Sequence, residues 1–214
     1  MTRVGHSDAS VALAQLDPVM SALVATHGPM RIAAPPKVEQ RFERLAESIV
    51  YQQLAGRAAA TIWGRVRDLF GPGSLKPQAV LLAPIEQLRA AGLSRAKAAA
   101  IIDLAHHVDD GRLELTKLGR MSDSDIIDEL IAVRGIGPWT AQMFLMFALG
   151  RLDVWPTGDL GVRNGYGIAY RLADPPSSGE LAEFGNRFRP YRSVAAWYCW
   201  KAADSPSHGD SVSA

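Results

Sequence analysis

A single cysteine, Cys199, stands in 214 residues. It cannot close an intramolecular disulfide, hold an iron–sulfur cluster or complete a cysteine zinc site, so a reducing compartment is compatible with the chain. A zinc deaminase is excluded on the same ground, because its Pro-Cys-x-x-Cys motif needs a second thiolate. Excess charge of one sign is also missing: 23 Lys and Arg face 22 Asp and Glu, for a formal net charge of +1. Bulk charge therefore does not direct the chain to a nucleic acid, and any grip on phosphate has to come from local placement. No apolar run approaches the roughly 20 residues that span a bilayer. Met1-Thr2-Arg3-Val4-Gly5-His6 lacks the apolar core of a secretory signal, so the expectation is a cytoplasmic chain that meets no membrane. Period-2 alternation is scarce as well, with Met30 to Ala33 the one candidate strand, and no internal repeat is found.

What the chain does have is apolar content, 48% of its residues, enough to bury a sizeable core in one domain or in two small lobes. Helical spacing is the prevailing pattern. Phe42, Leu45 and Ile49 form one stripe and Ile62, Val66 and Leu69 a second. Gln52-Gln53 followed by Leu54-Ala55-Gly56 breaks the pattern between them, which puts Leu54 at the tip of an interhelical loop. Gly71-Pro72-Gly73 closes the second helix. A short helix is predicted over Pro84 to Ala91 and stopped by Gly92. Another runs from Arg95 to Val108 behind a Ser94 cap, with Ile101, Ile102, Leu104 and Ala105 available for a core. Ser122 to Ala132 repeats the scheme, with Ile126, Ile127, Leu130 and Ile131 expected to face inward. Pro138 fits the first turn of a helix through Thr140, Phe144, Phe147 and Ala148. Leu181 to Ala203 is helical with an interruption at Pro190. Residues 1–203 are expected to form the folded part, and Asp204 to Ala214, Ser-rich and without periodicity, a disordered tail. The architecture is therefore nearly all α. The histidines, among them His6, His27, His106 and His107, are expected to face solvent and carry no assigned role.

Between two of these helices lies Arg134-Gly135-Ile136-Gly137-Pro138. Glycines allow a backbone to approach a bulky anion, and amides at a helix N-terminus are donors carrying partial positive charge. Such a turn can hold phosphate without lysine, which would reconcile a nearly neutral chain with DNA binding. A plain helix–turn–helix corner needs the same glycines for its dihedrals alone.

Five segments in order resolve that choice: Ser48-Ile49-Val50-Tyr51-Gln52-Gln53-Leu54, Gly92-Leu93-Ser94-Arg95-Ala96-Lys97, the Gly135-Ile136-Gly137 hairpin, Asp153-Val154-Trp155-Pro156-Thr157-Gly158-Asp159, and Arg189-Pro190-Tyr191-Arg192 through Trp200. Together they resemble the helix-hairpin-helix DNA glycosylase superfamily, in particular its 3-methyladenine DNA glycosylase II branch, from about Phe42 to about Lys201. The resemblance implies two all-helical lobes flanking an active-site cleft, with hairpin and aspartate in one lobe. It also implies a compact form without the β-rich N-terminal domain of longer members, and a monomer.

By that resemblance Asp159 is the catalytic carboxylate, whereas capping preference alone makes it the N-cap of a helix starting at Leu160. A carboxylate near C1′ would stabilise the oxocarbenium character that develops as an N-glycosidic bond breaks, and would orient the attacking water. Asp153 matches a residue that orders the loop. Bifunctional relatives carry a lysine two residues after the second hairpin glycine; Trp139 stands there here, which implies base release without strand cutting. Gln53 and Leu54 match the wedge that fills the stack after a base is flipped out, although Leu54 packed between lobes would look the same in sequence. Trp139, Met143, Trp200 and Tyr51 match the base pocket, where an electron-rich aromatic face suits a cationic methylated purine. Met143 replaces an aromatic residue of some relatives and leaves the range of accepted bases open. Gly135, Gly137 and Thr140 match the grip on the DNA backbone. No cofactor is required, and the relatives imply a structural Na+ or K+ on the carbonyls of Ile131, Val133 and Ile136.

The function so implied is a monofunctional glycosylase that excises alkylated purines from double-stranded DNA in base excision repair. The alternatives are a non-catalytic DNA-binding module and a glycosylase for deaminated or etheno bases.

Overall fold

The computed structural model describes residues 4–32, 34–54 and 56–205. Its first elements are α1 (His6–Leu16) and α2 (Pro18–His27), in a segment whose sequence pattern announces no helix. Their junction is nevertheless written locally. Asp17 accepts hydrogen bonds from the amides of Val19 and Met20 at 2.9 and 3.0 Å, and Pro18 occupies the first helical position. Gly28, at φ 72°, ends α2. The strand expected from Met30 is not formed: the Met30 amide donates to Ser10 Oγ of α1 at 2.9 Å and its side chain is buried, while Ala33 lies outside the described residues.

The chain then builds α3 (Arg41–Tyr51), α4 (Gly56–Phe70), α5 (Pro77–Leu82), α6 (Ile85–Ala90), α7 (Arg95–Asp109), α8 (Asp123–Ile131) and α9 (Pro138–Met143). The last of these passes into a π-helical turn, Phe144–Ala148. The expected caps are in place, with Ser94 Oγ accepting from the Lys97 amide and Ser122 Oγ from the Asp125 amide, each at 3.2 Å. Three further helices follow: α10 (Leu160–Ala169), α11 (Ser178–Phe184) and α12 (Arg192–Asp204). There is no strand among the described residues, and none of their helices is long and apolar enough to cross a membrane. Asp204, expected in the tail, closes α12, while 206–214 lie outside the described residues.

These elements divide into two compact units, one of Ala34–Gly150 and one of Met1–Ala33 with Arg151–Ala214. The division corrects one expectation. The hairpin belongs to the first unit and Asp159 to the second, the boundary falling after Gly150.

In the Ala34–Gly150 unit α7 packs on α3, α5 and α6. Phe42, Leu45, Ile49, Val66, Ile101, Leu104, Ile126 and Leu130 are fully or almost fully buried. One assignment of facing is corrected, that of Ile131, and two further apolar residues at helical spacing are also exposed. Leu69, Ile131 and Phe147 are 40–44% exposed. On α4 the buried stripe is Ala59, Trp63 and Val66, so the helix is rotated away from the Leu69 side. His107 is buried rather than solvent-facing: its Nδ1 lies 2.9 Å from the Asp103 carbonyl oxygen and its Nε2 2.8 Å from an Arg112 guanidinium nitrogen.

In the other unit α12 packs along α10 and against α1 and α2. The approach of α10 and α12 is so close that a Cβ on Gly165 would overlap the Cys199 carbonyl, and only glycine fits there. Tyr198 donates its hydroxyl to the Gly28 carbonyl and Tyr170 donates to Asp17, each at 2.8 Å. Burial and the Asp17 carboxylate hold the Tyr170 phenol well above its ordinary pKa, so it stays the donor. Asp17→Ala would remove the α2 cap and strand that buried hydroxyl. Thermal and urea unfolding should show a loss of about 2–4 kcal/mol, with Tyr170→Phe costing about 1 kcal/mol or less.

Candidate active site

Asp159 sits at the N-cap of α10 and is 8% exposed. Its Oδ1 accepts from the Val162 amide at 2.8 Å and from the Trp200 indole Nε1 at 2.9 Å. The capping reading is met, and the first turn of α10 and α12 together hold Oδ1 in place. The carboxylate also lies at the positive end of the α10 dipole. Gly161 makes room for this, since a Cβ there would lie 2.8 Å from Trp200 Cδ1.

The loop before Asp159 is tied down along its length. Arg192 Nε donates to Asp153 Oδ1 at 2.7 Å, and Arg189 reaches Oδ2 at 2.9 Å. The Val154 amide donates to Ser193 Oγ, and the Ser193 amide returns a bond to the Leu152 carbonyl, both at 2.9 Å. Trp155 Nε1 donates to the Leu181 carbonyl at 2.7 Å. Of the two loop aspartates, Asp153 is paired with two arginines and Asp159 is held against an indole.

The remaining candidates lie in the Ala34–Gly150 unit. Gly137 is the N-cap of α9, and Trp139 and Met143, four residues apart, share a side of that helix. Trp139 is 47% exposed and Met143 half-buried; Tyr51, at the end of α3, is exposed. The hairpin is buttressed from α7, where Asp103 Oδ2 accepts from the Arg134 amide at 2.8 Å. Gly135, at φ 79°, packs so closely on α7 that a Cβ in its place would lie 2.9 Å from the Ala100 methyl.

Gln53 and Leu54 sit on a tight turn. Gln52 has φ −55° and ψ 131°, Gln53 has φ 54°, and the Leu54 amide donates to the Tyr51 carbonyl at 3.4 Å. That is a type II pattern with glutamine where glycine is preferred. Both Gln53 and Leu54 are exposed, as a wedge requires. Thr140, expected on the DNA backbone, is 4% exposed in the first turn of α9, and its Oγ1 accepts from Gln52 Nε2 at 3.0 Å.

The match of residues 46–190 to the model of the HhH-GPD superfamily of base excision DNA repair proteins spans more than half of the chain. The chain belongs to that superfamily. It is 31% identical over 197 residues to DNA-3-methyladenine glycosylase 1 of Schizosaccharomyces pombe, covering 91% of this chain and 86% of that protein. It is 33% identical over 169 residues to a putative DNA-3-methyladenine glycosylase of Bacillus subtilis, covering 76% of this chain and 59% of that protein. Among solved structures, the S. pombe 3-methyladenine DNA glycosylase in complex with abasic DNA superposes with a TM-score of 0.81 at 31% identity, covering 90% and 95% of the two chains. A DNA-3-methyladenine glycosidase of Bacillus halodurans gives 0.83 at 35% identity, covering 96% and 94%.

Within this HhH-GPD chain, two site residues carry roles that the sequence pattern does not assign. Gln52 Nε2 donates to the Gly135 carbonyl at 2.9 Å as well as to Thr140. Lys97 Nζ donates to the carbonyls of Val50 and Gln52 at 2.8 and 2.6 Å, and burial pulls its pKa below the ordinary lysine value. Both lie inside recognised motifs, but their partners are tens of residues away and no local pattern announces them. Gly135→Ala should destabilise this unit by about 2–3 kcal/mol in urea unfolding, because it combines left-handed strain with overpacking against Ala100.

Proposed function

We propose that the protein is a monofunctional DNA glycosylase that excises alkylated purines such as 3-methyladenine from duplex DNA, with Asp159 as its catalytic carboxylate. The observation that carries this reading is the Asp159 pair of bonds, to the Val162 amide and to the Trp200 indole. A carboxylate so fixed is preorganised: it needs no reorientation as positive charge develops at C1′, and in a mostly buried setting its field is weakly screened. It also orients the water that completes hydrolysis. The similarity to named DNA-3-methyladenine glycosylases of yeast and bacteria supports the same substrate class.

Methylation at N3 or N7 makes a purine cationic and weakens its glycosidic bond. The leaving group is then activated before it binds, and the aromatic faces of Trp200, Trp139 and Tyr51 supply cation–π attraction. Trp139 has no amine for Schiff-base chemistry, so the product is an abasic site on an uncut strand. Gly135 and Gly137 bring the hairpin backbone to phosphate, and Leu54 fills the stack vacated by the flipped base. One chain supplies every group named, and the protein acts as a monomer.

A cation at the hairpin fits the donors present. Ile131 ends α8, where the last carbonyls lack intrahelical partners and carry negative partial charge. The Val133 carbonyl accepts from the Ile136 amide at 3.1 Å and has a second lone pair. These oxygens, with Ile136, are neutral, which suits Na+ or K+, and no step of the reaction passes through the ion.

Wild type should release free methylated purine from alkylated duplex DNA, with strand breaks appearing only after alkali. Asp159→Asn should reduce single-turnover release by about 10²–10³-fold while retaining DNA binding. A fully active Asp159→Asn variant would refute the catalytic assignment, and binding without release by both proteins would favour a non-catalytic module.

A further inference from the structure

Gln53 at φ 54° is one of two non-glycine residues with positive φ among the described residues, and it precedes the exposed Leu54. A glutamine in this conformation persists only where its surroundings over-determine it. The bracing comes from two sides. Lys97 Nζ gathers the carbonyls of Val50 and Gln52, at 2.8 and 2.6 Å, fixing the backbone that enters the turn. The Gln52 side chain leaves the same turn in the other direction and donates to Gly135 O and Thr140 Oγ1, at 2.9 and 3.0 Å. Thr140 is buried and Gly135 is pinned on Ala100, so Gln52 is attached to groups that cannot follow it if it moves. One amide thus bridges the turn that presents the wedge and the hairpin that meets phosphate, residues 83 and 88 positions apart in sequence.

We propose that Gln52 is a positioning residue that couples the hairpin's hold on the DNA backbone to the insertion of Leu54. The proposal rests on the wedge and hairpin roles given under Proposed function. The chemistry is specific to a donor: Nε2 has two protons and the two acceptors use both, so neither a carboxylate nor a thioether can replace it. A hairpin seated on phosphate holds Gly135 and Thr140 in place. Through Gln52 it holds the strained turn in the conformation that points Leu54 outward. Without that amide the hairpin would still seat, but the turn would relax and the wedge would enter the stack less often.

The test is a double-mutant cycle on flipping. Gln52→Met keeps the side-chain volume and removes both donors. Flipping is followed by stopped-flow fluorescence of 2-aminopurine placed beside an alkylated purine in duplex DNA, and binding by anisotropy on undamaged duplex. Gln52→Met should slow flipping about tenfold, the scale of two lost hydrogen bonds, with binding to undamaged duplex within about twofold of wild type. Gln52→Met combined with Leu54→Ala should flip no more slowly than Leu54→Ala alone, because a positioning residue has nothing left to position. Losses that multiply in the double variant, or wild-type flipping by Gln52→Met, would overturn the coupling. If Gln52→Met fails to fold, Thr140→Val breaks one of the same bonds from the other end and should slow flipping about threefold, again without adding to Leu54→Ala. Flipping is read before any bond is cleaved, so a wild type that flips without releasing base would count against the glycosylase reading and leave the coupling measurable.

Discussion

Where α10 passes α12, the Gly165 backbone lies against the Cys199 carbonyl, and the setting of Asp159 depends on that approach. It brings the Trp200 indole within 2.9 Å of the Asp159 carboxylate, and Gly161 supplies the clearance for the ring. Any larger residue at Gly165 would separate the helices by more than a hydrogen bond can span. The carboxylate would keep its amide bond to Val162 and lose its bond to the Trp200 indole. Cys199 itself, fully buried with its thiol pKa pushed up by burial, packs as a small apolar residue and has no reactive character.

The same logic of distant partners governs the other unit. Its working parts are a turn and a hairpin, elements with little apolar surface of their own. Each is rigid because it is anchored to a helix: the turn to Lys97 of α7, the hairpin to Asp103 and Ala100 of the same helix. The helix that the sequence marks only as an amphipathic core element is therefore the frame on which both are mounted. Gln52 adds the direct link between them.

Two aspartates six residues apart sit in different environments. Asp153 meets Arg189 and Arg192 and ties its loop to the start of α12. Asp159 accepts from an amide and an indole at the start of α10.

Much was legible in the sequence where the cause is local. Caps at Ser94 and Ser122, the break after Gln53, the glycines of the hairpin and Pro138 in the first turn of α9 all follow from residues acting on their immediate neighbours. The motifs named the family because they stand in its order along residues 46–190. What only the tertiary structure decided is facing and partnership. Leu69, Ile131 and Phe147 have helical spacing yet stand exposed, and His107 is buried on a helix where it was expected to face water. The first two helices pack on α12, some 170 residues later, and the hairpin and Asp159 fall in different units. Periodicity fixes that a helix has an apolar side, but which residues that side buries depends on helices brought against it from elsewhere in the chain.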